Sequence, residues 1–227
     1  MRDRVVLFAI VGFGFLPCGI SNAQQALPVQ STASSDRDSV KSATPSATTA
    51  VWIAGANRLA VSNQPLAPAD RLLLLLGIER RFEWAKVRWG TVFVAPSVLP
   101  GVYTTGNRRT VLVPCGVFDL CSVGAKYAAF GVGAIPLGIR FESLPLGRAS
   151  LAARLDGGGV WFDRRIPGDG AMHFNFLAQA GLDLSLQVAT RSWIQLGYRH
   201  LHLSNAGTGK ANPGLDVSLL NLGLAWR

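Results

Sequence analysis

Acidic residues are scarce in this chain, and so is charge altogether: 13 Asp and Glu against 22 Lys and Arg make up 15% of 227 residues. Low charge combined with 49% hydrophobic residues and 25 Gly excludes disorder, which needs low hydrophobicity. It also excludes a helical bundle, which needs Ala, Glu, Lys and Leu at helical spacing. The acid deficit leaves a net charge of +9. Yet Arg2, Arg4, Arg37 and Lys41 precede any core, and the remaining cations alternate with apolar residues. Without a basic stripe or a recognised module, nucleic acid is excluded as a partner, and an anionic lipid surface suits the scattered excess. Cysteine is rare too. Cys18 follows Pro17, the wrong residue for lipoprotein cleavage, which leaves Cys115 and Cys121 in Cys-Gly-Val-Phe-Asp-Leu-Cys. Two sulfurs without a nearby His pair make no zinc site, whereas an exported pair around a small loop points to a disulfide. No internal repeat stands out.

A helical membrane span is missing as well. The apolar run Val5 to Leu16 ends at Pro17 and falls short of the roughly 18 residues a spanning helix needs. With Arg2 and Arg4 before it, and small Ser21 and Ala23 after it, the segment reads as a signal peptide over 1–23. From 24 to 50 the chain is Ser, Thr, Ala, Gln and Pro without apolar period, read as a flexible periplasmic linker. The folded domain is expected over 51–227.

What the domain does have is period-2 alternation, repeated over segments of membrane-spanning length. In Phe174 to Leu186 the even positions are all apolar, while Asn175, Gln179, Asp183 and Ser185 lie between them. Ile135, Leu137, Ile139 and Phe141 oppose Gly138, Arg140 and Glu142; Ala85, Val87, Trp89 and Phe93 oppose Lys86, Arg88 and Gly90. Leu220, Leu222, Leu224 and Trp226 oppose Asn221, Gly223 and Ala225. Successive strand residues face opposite ways, so each segment offers one face fit for lipid. The other face carries Glu79, Arg81, Lys86, Arg88, Arg140, Glu142, Asp183 and Arg199, charges of both signs that can pair in a narrow lumen. The pattern predicts an all-β protein, an eight-stranded antiparallel transmembrane barrel of the bacterial outer membrane. Strands are expected at 51–59, 71–82, 85–96, 127–142, 149–163, 173–187, 192–204 and 216–226. Short turns then fall near Glu83, Pro145 and Thr190. Longer connections fall around Gln64, over 97–126, near Gly168 and over 205–215, as short periplasmic turns and longer external loops require.

The chemistry concentrates in the last thirty residues, 198–227. His202 and Ser204 share a face with Ile194, Leu196 and Tyr198, and Asp216 shares one with Leu220 and Leu222. Serine, histidine and an acid therefore converge on the lipid side of the wall. Polar groups there cost up to about 2–4 kcal/mol at mid-membrane and less near the interface. Parity alone leaves two readings open: polar residues at a wet rim, or a serine nucleophile with its base and orienting acid.

His202-Leu203-Ser204-Asn205-Ala206, followed by Asn212-Pro213-Gly214 and a short closing strand, resembles the signature of the PagL-type lipid A 3-O-deacylases, the acyloxyacyl hydrolase-like outer-membrane family. Weaker echoes stand at Pro136-Leu137-Gly138-Ile139-Arg140-Phe141 and Asn175-Phe176. The resemblance implies Ser204 as nucleophile, His202 as general base and Asp216 as the acid, where the family usually has the longer Glu. It also implies oxyanion stabilisation by Asn205 and Asn212 with the backbone near Gly207. Asn-Pro-Gly is a good turn in its own right, so for Asn212 both readings stand. His200 raises a His-x-His metal alternative, but a third ligand at suitable spacing is missing and His173 belongs to another strand. The expected protein is an outer-membrane serine esterase that needs no cofactor and removes an acyl chain, by the resemblance the 3-O chain, from lipid A of lipopolysaccharide. The competing reading is a non-catalytic barrel of structural or interaction role that keeps the motif. Monomer and homodimer both stay open.

Overall fold

A computed structural model describes residues 47–56, 71–116, 119–212 and 214–227, without the side chain of Arg108. The expected signal peptide, nearly all of the expected linker and residues 57–70 of the first long connection lie outside the described residues. The strands are β1 (Thr48–Ala56), β2 (Leu73–Val87), β3 (Gly90–Val94), β4 (Ser97–Pro114), β5 (Leu120–Ser143), β6 (Ala149–Ile166), β7 (Met172–Ala189), β8 (Ser192–Ser204) and β9 (Leu215–Trp226). Because β1 begins at Thr48, the folded domain starts inside the stretch read as linker.

All pairings are antiparallel; from β5 onward each strand pairs with the next in the chain, and β1 pairs with both β2 and β9, so the sheet closes on itself. β3 and β4 occupy one position in the wall. β3 pairs with the far end of β2 and of β5, and β4 with the remainder of both. Between them Pro96 has no N–H to give a ladder. The break still keeps its bonds, since Ala95 N–H donates to Gly138 O (2.8 Å) and Pro96 O accepts from Arg80 N–H (3.0 Å). The wall therefore has eight positions, an eight-stranded up-and-down barrel.

Several expected boundaries are corrected. The first short turn is at Arg88-Trp89, not near Glu83, and β2 runs through Glu83 with a register shift between Glu83 and Ala85. That bulge breaks the alternation and imitates a turn. Lys86 and Arg88 consequently lie outside the lumen, Lys86 with Glu83 at 3.4 Å. The expected loop 97–126 is mostly β4 and the start of β5, a ribbon whose outer part pairs only with itself, from Asn107↔Tyr127 to Pro114↔Leu120. The disulfide Cys115–Cys121 closes its tip. In β5 the ladder shifts between Ala134 and Leu137, so Ile135 points inward and not with Leu137 and Ile139.

The lumen is filled in two layers. Toward the short turns Glu79, fully buried, meets Arg81 at 2.5 Å and Arg154 at 2.9 Å. Arg154 holds Asp156 (2.6 Å), Gln179 donates to the same carboxylate (2.6 Å), and Arg140 pairs with Asp183. Buried charges survive only when paired in this way, because an unpaired one costs several kcal/mol. Arg199 lies 3.9 Å over the Trp52 ring, and that ring needs Gly77 opposite, where a Cβ would come within 2.2 Å of it. Toward the long loops the filling turns apolar: Leu177, Leu201, Leu203, Leu215, Val217 and Leu219 pack with Leu73, Leu99 and Phe162. Outside, the wall is a band of exposed Leu, Ile and Val, bordered by Trp84, Trp89 and Trp226 at one end and Phe130, Trp161, Phe174 and Phe176 at the other. Aromatic girdles around an apolar belt are the surface of a transmembrane barrel.

Candidate active site

β8 and β9 form an uninterrupted antiparallel ladder in which His202 lies directly opposite Asp216. Both side chains point outward, and His202 Nδ1 lies 2.7 Å from Asp216 Oδ1. The side chains are 45% and 26% exposed, respectively, so the pair sits on the wall and not in the lumen. Asp, one methylene shorter than the family's Glu, reaches the imidazole because the two residues are register partners. Ser204 is half-buried on the same face, and its Oγ accepts the Ala206 N–H (3.1 Å). Among the described residues no hydrogen bond joins Ser204 to His202.

The loop that follows is folded by Asn205. Ala206 and Gly207 both take left-handed φ (51° and 77°), a conformation glycine adopts freely and alanine at a cost. This doubles the chain back over Asn205. The buried Asn205 amide closes the loop: its Oδ1 accepts Gly207 N–H (3.0 Å) and its Nδ2 donates to Ala211 O (2.7 Å). Asn212 Oδ1 accepts Asn205 N–H (3.0 Å), which anchors Asn212 by its oxygen and leaves its NH2 unbonded among the described residues. Asn205 thus does the turn chemistry, and Asn212 is the amide with a donor to offer. Pro213 lies outside the described residues. The loop also leans on the β6–β7 connection, with Ala211 N–H donating to Gly170 O (3.0 Å).

A feature not legible from the motif is a groove of about 730 Å³ in the outer wall beside His202. Ladder partners run His202–Ala178–Gly157–Leu137 across β8, β7, β6 and β5. Ala178 and Gly157 leave a trough whose lining continues past Leu137 to Val94 and Trp84. Small residues on the outward parity (Gly157, Gly159, Ala178, Ala180) are the signal for it in the sequence. His200 lines the same groove, and among the described residues no three His, Cys, Asp or Glu side chains gather as a metal site.

A closed eight-stranded barrel with this exterior is a protein of the bacterial outer membrane. Residues 115–225, from the disulfide into the last strand β9, match the family model described as Lipid A 3-O-deacylase (PagL). Among solved structures it is similar to the outer membrane enzyme PagL (15% identity, covering 80% of this chain and 99% of that one, TM-score 0.49). It is also similar to Neisserial surface protein A (12%, 79% and 95%, TM-score 0.45) and to OprG from Pseudomonas aeruginosa (7%, 80% and 96%, TM-score 0.41). No curated protein sequence matches.

Proposed function

We propose that this barrel is a serine esterase that removes an ester-linked acyl chain from lipid A in the outer leaflet, at the 3-O position the family name specifies. The observation that carries the reading is the Asp216–His202 pair, in register on the lipid-facing wall, flanked by Ser204 and opening onto the trough. Asp216 Oδ1 accepts the Nδ1–H of His202, which leaves Nε2 unprotonated as the base. Residues two apart on a strand are about 7 Å apart, so a turn of Ser204 about χ1, away from the Ala206 N–H, brings its hydroxyl toward Nε2. Ser204 Oγ then attacks the ester carbonyl carbon as its proton passes to Nε2. The oxyanion takes donors from the Asn212 amide and the freed Ala206 N–H. Collapse breaks the bond to the sugar oxygen, which leaves with the proton from Nε2. Water deprotonated by His202 then cleaves the acyl-serine to release the carboxylic acid and restore Ser204. The acyl chain lies across Ala178 and Gly157.

The alternative, a barrel that keeps the motif without turnover, draws on the Ser204 hydroxyl being held by Ala206 and not by His202. Mass spectrometry of lipid A separates the two. Cells expressing the protein should show lipid A lighter by one acyl chain, and cells expressing Ser204→Ala should not. Unchanged lipid A in cells with correctly inserted wild-type protein would favour the non-catalytic barrel.

A further inference from the structure

At the long-loop end of β6 the ladder with β7 breaks. Trp161 pairs with Phe174 and the next pair is Ile166 with Met172; Phe162 still pairs with Gly131 on β5, so residues 163–165 leave both ladders and bulge from the wall. The bulge is held from three sides. Asp163 Oδ1 accepts Phe130 N–H (2.8 Å), His173 Nδ1 bonds Phe162 O (2.9 Å), and the Tyr127 hydroxyl donates to Arg165 O. Tyr127 also lies under the Arg164 guanidinium, 5.8 Å from ring centre to Cζ. Bulges of this kind re-aim side chains beside functional sites. What this one presents is Arg164 and Arg165, both exposed and neither in an ion pair among the described residues.

Two carboxylates stand near: Asp163 accepts Phe130 N–H and Asp169 accepts Thr110 N–H (2.5 Å), and among the described residues neither is in an ion pair with Arg164 or Arg165. Arg109, also exposed, acts electrostatically on the same Tyr127 hydroxyl, so a third cation borders the bulge. Ser204 is level with Phe176, which lies four residues along β7 from Met172, about 13 Å at about 3.3 Å per residue. Two inter-strand steps from β8 to β6 add about 10 Å sideways. That span is comparable with a phosphorylated disaccharide headgroup whose ester enters at Ser204.

Resting on the esterase reading for the position of the ester, we infer that the Arg164–Arg165 bulge is a phosphate subsite for the outer-leaflet glycolipid. Guanidinium groups bind phosphate through paired N–H donors, which lysine cannot reproduce in geometry.

The test is equilibrium binding to detergent-solubilised, full-length Ser204→Ala protein, which keeps the lipid intact. The probes are lipid A with its phosphates and lipid A from which they have been removed. The phosphorylated form should bind tighter, and Arg164→Gln/Arg165→Gln should weaken it about tenfold to a hundredfold while leaving the dephosphorylated form unchanged. Lys at both positions should restore part of the loss. Inorganic phosphate at concentrations matching lipid A should displace little of it. Equal binding of the two lipids to the unaltered bulge would overturn the subsite, and that comparison needs no bulge variant to fold. So would an unweakened Gln variant, or full displacement by free phosphate. Phosphate-dependent binding together with no turnover by the folded wild-type protein would instead sink the esterase reading and leave the subsite standing.

Discussion

Replacing Asp216 by Asn is the most informative perturbation of the proposed triad, because it changes little but the charge and the proton. Asp216 accepts the His202 Nδ1–H at 2.7 Å. An asparagine amide in its place can donate to Nδ1, which moves the imidazole proton to Nε2 and disables the base. In a fully enclosed serine site that change costs about 10⁴ in kcat. Here the carboxylate is 26% exposed and the imidazole 45%, so solvent already screens the pair and the imidazolium it would stabilise. The expected loss is therefore smaller, about 10² to 10³ in kcat with KM little changed. Ser204→Ala and His202→Ala should each abolish measurable deacylation, and the double variant should be no worse, as for groups that act together. Asp216→Glu should stay within about tenfold of wild type without gaining, since the shorter acid already reaches its partner across the ladder. The assay is release of fatty acid from lipid A in detergent micelles, on variants that still show the heat-modifiable gel migration of a folded barrel. A folded Asp216→Asn protein with the wild-type rate would refute the role of the acid, and a fully active Ser204→Ala protein would refute the mechanism altogether.

Three further outcomes are expected. Gly157→Leu should fill the trough without strain on the wall, since a Cβ there would meet Leu137 at an ordinary 3.7 Å. It should lower kcat/KM on lipid A by about tenfold or more through misplacement of the ester, yet spare a short-chain p-nitrophenyl ester; equal loss on both would show that the trough holds no acyl chain. Gly77→Ala should destabilise the barrel by about 1–3 kcal/mol through overpacking against Trp52, read as a lower urea midpoint. Cys115→Ser/Cys121→Ser should raise proteolysis of the β4–β5 ribbon, with at most about 2 kcal/mol lost from so short a loop, and leave deacylation nearly unchanged; thiols that alkylate fully without reductant in the native protein would contradict the bond.

Legibility followed the physics of each segment. Over β7, β8 and β9 the alternation was unbroken, lipid on one side and lumen on the other, so both the strand limits and the outward placement of His202, Ser204 and Asp216 could be read directly. Their mutual register could not. A loop as long as 205–214 fixes no pairing, and the opposition of His202 to Asp216 comes from the closed sheet. Alternation failed wherever a bulge intervened, at Glu83, at Pro136 and at residues 163–165. It failed again in the outer β4–β5 ribbon, where both faces are exposed and no apolar–polar contrast marks a strand. The groove escapes the sequence for the same reason as the register: it joins residues from four strands, and no single segment announces it.

The two-layer lumen bears on why polar groups can be held so closely on a lipid-facing wall. His202 and Asp216 alternate along their strands with Leu201, Leu203, Leu215 and Val217, all buried in the apolar layer. Had the ionic layer extended to this end, the backbone behind the pair would rest on side chains whose geometry depends on charge balance. Close-packed aliphatic groups instead fix β8 and β9 through shape, and a site works only when its supporting side chains are themselves locked. The pair also lies at the long-loop end, near the aromatic border formed by Phe174 and Phe176. There the outward face meets the lipid headgroups, and the cost of exposing an imidazole and a carboxylate falls toward zero. The apolar filling at this end thus gives the pair a rigid backing at the border of the belt, where the proposed acyl ester would meet the wall.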